Sequence, residues 1–72
     1  MIIYRLTYAD DYEDHSEYHF LHKAKAIFKA NQDAGGITSG WKEVGAGRLV
    51  RELKTSIHYW NRQILEEINV IE

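Results

Sequence analysis

The stretch RLVRELKTSIHYWNRQILEEINVI, Arg48 to Ile71, decides the fold, because it supports two readings with different architectures. It lies in the 25 residues after Gly47, which contain neither Gly nor Pro. Leu49, Val50, Leu53, Ile57 and Trp60 follow the i, i+3, i+4, i+7 spacing of an amphipathic helix. A helix from about Arg48 to about Tyr59 is therefore expected. Continuing that stripe through Ile64, Ile68 and Ile71 gives one long C-terminal helix with Val50, Leu53, Ile57, Trp60 and Ile64 in heptad order. Against this, Thr55 to Asn61 are seven consecutive mediocre helix formers, each costing ~0.5 kcal/mol relative to Ala. Gln63 to Ile71, with Ile64, Ile68 and Val70 in period two, then reads as a terminal strand, which is the reading we adopt.

Working outward, Ile2, Tyr4, Leu6 and Tyr8 alternate with Ile3, Arg5 and Thr7 as in a half-buried strand, against which the strand ending at Val70-Ile71 would pair. Ala9 to Asp14 is Asp-rich and poor in aliphatics, so it reads as a loop or hairpin tip. Ser16 to Leu21 alternates as a second hairpin strand, although Asp14 and Glu17 also match a helix capping box. His22 to Gln32 reads as a helix, with Ala24, Ile27, Phe28 and Asn31 on one face and Lys23, Lys25 and Lys29 on the wet side, ended by Gly35-Gly36. Residues 35–47 hold all five glycines and read as a loop with a short extended piece at Trp41 to Val44. The expected fold is a single α+β domain in the order β-β-α-α-β, with both helices on one face of the sheet. The alternative is a mostly helical domain with a helix from Arg48 to Ile71.

At 72 residues, 44% hydrophobic and 28% charged, the chain can fold but builds only a thin core. Without cysteine it has neither a disulfide nor a thiolate metal site, which leaves association with a partner or a second copy as a further source of stability. Ile57, Trp60, Ile64 and Ile68 are the apolar residues that a homodimer would cover. A net charge of −2 lacks the cationic excess that drives nonspecific nucleic-acid binding. No run approaches a membrane span or a signal peptide, so a cytoplasmic location is expected.

His15, His19 and His22, spaced i, i+4, i+7 beside Asp14 and Glu17, would offer three imidazoles to zinc or nickel if this segment were helical, and a small metal-dependent hydrolase is the enzymatic alternative. On a strand the same histidines are simply exposed. Asp10, Asp11, Glu13, Asp14 and Glu17 could be paired catalytic carboxylates, but a loop this polar does not desolvate an acid and a base. The same acids, with Tyr12, would suit a basic, nucleic-acid-binding groove on another protein. Gly45-Ala46-Gly47 before a helix start has the outline of a phosphate-binding turn, but Val50 stands where the third glycine belongs and no Lys-Ser pair follows. Ser16, Ser39 and Ser56 sit in no nucleophile elbow. No cofactor and no catalytic residue is expected.

Two Trp and five Tyr are many for so small an interior, and such residues anchor protein interfaces. Tyr4 and Trp60 are expected in the core. Trp41, isolated among glycines, forms with Arg48 and Arg51 a second candidate partner-binding surface beside Asp10, Asp11, Tyr12 and Asp14. The layout, from MIIY at Met1 through KAKAIFK at Lys23 to LEEINVIE at Leu65, resembles short accessory proteins of phages and mobile elements. That resemblance is one of style and identifies no functional residue. It implies stoichiometric binding to a host macromolecule, including inhibition of host defence enzymes. The function expected is therefore non-enzymatic binding to another protein.

Overall fold

In the computed structural model, residues 1–35, 39–53 and 60–71 are described. Strands β1 (Ile2–Ala9) and β2 (Asp14–Phe20) form a hairpin, helix α1 (Lys23–Ala34) follows, and strands β3 (Lys42–Gly45), β4 (Arg48–Glu52) and β5 (Arg62–Asn69) complete the chain. The five strands make one antiparallel sheet in the order β2-β1-β5-β4-β3. The first and last strands are therefore neighbours, with Ile2 opposite Asn69 and Ala9 opposite Arg62.

The expected second helix is overturned. Arg48–Glu52 is strand β4, hydrogen-bonded to β5 on one side and β3 on the other, and among the described residues the order is β-β-α-β-β-β with a single helix. The mostly helical alternative falls with it, since Arg62–Asn69 is strand β5. The 54–59 part of both readings lies outside the described residues. The reason is a period of two hidden by one polar residue. Leu49, Arg51 and Leu53 face α1 while Arg48, Val50 and Glu52 face the other way, and Arg51 occupies a buried position where an aliphatic would have shown the alternation. Gly47, at φ 68°, closes the two-residue turn between β3 and β4, and a Cβ there would stand 3.2 Å from the Glu67 Cβ. Gly45-Ala46-Gly47 is thus a hairpin turn rather than the entrance to a helix, so it has no helix N-terminus to offer a phosphate.

One face of the sheet carries α1. Leu6 and Tyr8 of β1, Leu65 of β5, and Ala26 and Ala30 of α1 form the buried core, ringed by Tyr4, Phe20, Ile27, Trp41, Leu49 and Trp60. The helix lies on the sheet through Ala26, Ala30 and Ala34, which repeat every four residues along one stripe. This corrects the expected stripe. Ala24 and Asn31 are exposed, and Phe28 is 70% exposed, because the small alanines and not the large aromatic fill the gap beneath the helix. Gly35 ends α1 in the left-handed conformation at φ 57°. Further along the connection, Ser39 clips the chain to the end of β4: its N–H donates to the Glu52 carbonyl at 3.0 Å, and its Oγ accepts from the Glu52 N–H at 2.9 Å.

Candidate functional site

The β1–β2 connection is built around Asp10. Its Oδ1 accepts the backbone N–H groups of Tyr12 at 2.7 Å and Glu13 at 2.8 Å, and its own N–H donates to the Glu13 carbonyl at 3.0 Å. Asp side chains close turns in this way because a short carboxylate reaches backbone donors two and three residues on. The second oxygen lies 2.6 Å from His15 Nε2. Asp11 is held from below by Arg62 of β5, whose Nη2 donates to Oδ1 at 3.1 Å. With Asp10 and Asp11 spent on the turn, Tyr12 is left projecting at the apex, 95% exposed, with exposed Glu13 and Asp14 beside it.

The hydrogen bond from His15, with those from the Glu13 and Tyr12 amides, holds the Asp10 carboxyl down to about 2. A depressed carboxylate stabilises the turn above the pKa it has in the unfolded chain, and that contribution is lost as pH falls through about 2. In a carbon-detected NMR titration the Asp10 carboxyl should move with a midpoint near 2, and His15→Ala should raise it. An unchanged midpoint in the variant would remove His15 as the cause.

Arg48 and Arg51 are separated. They stand on opposite faces of β4, so the structure does not bring Trp41, Arg48 and Arg51 onto one surface. Arg51 is 7% exposed, with its Cζ 4.3 Å from the centroid of the Trp41 ring. Its Nε and Nη2 donate to Gln63 Oε1 at 3.0 and 2.6 Å, and Nη1 donates to Asn31 Oδ1 at 2.8 Å. Gln63, fully buried, donates in turn to the Ala30 carbonyl at 2.7 Å. The network ties β4 and β5 to α1. Trp41 and Arg51 therefore serve the interior, as a cation over a ring and a fork over an amide. Arg48 lies on the open face, where Glu66 sits between it at 3.9 Å and Arg5 at 3.1 Å, and Glu17 lies 3.8 Å from Arg5. Exposed pairs of this kind contribute little.

The histidines do not converge. β2 is a strand, so His15 and His19 are roughly 13 Å apart at ~3.3 Å per residue, and His22 stands at the start of α1. His15 contacts Asp10, and His19 lies 3.2 Å from Glu17. Among the described residues no group of His, Cys, Asp and Glu is placed to hold a metal ion. Of the apolar residues expected to cover a dimer, Trp60 stacks on Tyr8 at 4.2 Å between centroids and Ile64 is buried within the sheet, while Ile57 lies outside the described residues.

One surface was missed from sequence. Phe20, Ala24 and Phe28 line an open groove between α1 and β2, flanked by Lys25, Lys29 and Gln32. Lys29 is engaged, with Nζ 2.9 Å from Asp33 and 4.6 Å from the centroid of the Tyr18 ring. The alanine stripe was the signal that would have turned Phe28 outward. No helix among the described residues is long and apolar enough to cross a membrane. Comparison with known proteins finds no matching family model, curated protein or solved structure.

Proposed function

We propose that the protein is a non-enzymatic, cytoplasmic binding module that acts stoichiometrically by occupying a basic site on another protein with its β1–β2 tip. The observation that carries this reading is Tyr12, 95% exposed at the apex of a turn that Asp10 locks from within. An aromatic on a preorganised turn binds without the ordering cost of a floppy loop. The carboxylates of Glu13 and Asp14 beside it suit a cationic groove such as nucleic-acid-binding proteins present. An acid-base role fits less well, since Asp10 is held ionised rather than raised towards neutral pH. The resemblance in style to short phage accessory proteins is the reason to test host defence enzymes first as partners.

The protein, immobilised, should retain a specific partner from the source lysate at low salt. It should lose it at several times physiological ionic strength, where the screening length falls well below ~8 Å. With the partner purified, Tyr12→Ala with Asp14→Asn should weaken binding by roughly 30-fold or more, the scale of a hot spot. Equal affinity of the variant, or binding indifferent to salt, would overturn the reading.

A further inference from the structure

Strand β2 is a sheet edge with a self-complementary sequence. The carbonyls of Met1 and Ala9 accept from Val70 and Asn61 on the β5 side, so odd-numbered residues of β1 turn their backbone groups towards β5 and even-numbered ones towards β2. Leu6 is opposite Tyr18, with Tyr4 opposite Phe20 and Tyr8 opposite Ser16. Ser16, Tyr18 and Phe20 therefore spend their backbone groups on β1, while the N–H and C=O groups of Glu17 and His19 point off the edge. The opposite edge differs. β3 has four residues and a bulge between Glu43 and Gly45, which blunts it.

We propose that β2 pairs antiparallel with β2 of a second copy, about a twofold axis at Tyr18, to make one ten-stranded sheet. Only registers centred on a residue bring outward-pointing backbone groups together. Centred on Glu17, two glutamates would oppose each other; centred on His19, two histidines would. Centred on Tyr18, Glu17 faces His19 of the other copy, twice by symmetry, and the outward groups of Glu17 and His19 meet their counterparts. The groove supplies the apolar part. Phe20 and Phe28 border this same edge, and the axis, perpendicular to the sheet, puts both helices on one face so that the two grooves close on each other. The 70% exposure of Phe28 is then that of a residue awaiting its copy.

The chain contains no cysteine, so single cysteines report the register. Glu17→Cys and His19→Cys, both on the face away from α1, are oxidised mildly, each alone and as an equimolar mixture. The mixture should give at least ~10-fold more covalent dimer than either variant alone, because directly opposed positions meet the Cα separation a disulfide needs and positions two residues out of register do not. Phe28→Asp, at an exposed helix position, should keep the circular dichroism of the parent and sediment as a monomer where the parent sediments as a dimer. A parent that is strictly monomeric at high micromolar concentration overturns the proposal, as does equal cross-linking in all three samples. A Phe28→Asp dimer overturns it too.

Discussion

Gln63→Leu is expected to destabilise the protein by about 3 kcal/mol, far more than removal of one neutral hydrogen bond, because it strands a buried cation. Arg51 is 7% exposed and no carboxylate accepts from it in its described hydrogen bonds; two of its three go to Gln63 Oε1 and the third to Asn31. Burial lowers the Arg51 pKa, but arginine keeps its proton, so the charge has to be solvated by amides and by the Trp41 ring. Leucine fills most of the glutamine's space and offers no acceptor. Arg51→Met removes the charge itself and should cost less, and the pair Arg51→Met with Gln63→Leu should be more stable than Gln63→Leu alone. Urea unfolding of the three variants measures this, and a double variant less stable than Gln63→Leu would show that the cation stabilises through packing rather than needing rescue.

Leu6→Ala should cost about 4 kcal/mol, within the range for emptying a closed core site. Leu6 is fully buried at the centre of β1, opposite Tyr18 on one side and Leu65 on the other, and in the core cluster with Ala26 and Ala30. Ala26 and Ala30, the helix residues in that cluster, have no long side chain to swing into the void. A chain of this length has a total stability of roughly 4–11 kcal/mol, so the variant stands close to unfolding at room temperature. Loss of cooperative thermal unfolding, or a midpoint depressed by some 20 °C, is the expected signature. A shift of only a few degrees would mean that the helix settles onto the sheet and closes the space.

Much of the sheet was legible because its signals are local. The alternation of Ile2 to Tyr8, the Asp-rich tip, the glycines after α1 and the period of two around Ile64 each show within a few residues. β4 was illegible for the opposite reason. Leu49, Val50 and Leu53 satisfy helical spacing, and the buried Arg51 becomes sensible only once Gln63, twelve residues on, is seen to accept from it. Of the candidate site residues, Asp10 and Tyr12 lie where an Asp-rich turn should put them. Arg48 and Arg51 part because residues three apart share a helix face but not a strand face. The rule that large apolar residues fill cores puts Phe28 inward, and here a stripe of alanines takes that place.

The pairing of β1 with β5 also sets the order in which the chain can fold during synthesis. The neighbours β1 and β5 lie far apart along the chain, so β1 leaves the ribosome long before Asn69 arrives to pair with Ile2. At ~5–20 residues per second, the apolar alternation of Ile2 to Tyr8 spends seconds without its β5 neighbour. Such far-separated contacts slow the closing step once the chain is free. The chain still lacking β5 is the species most exposed to chaperones.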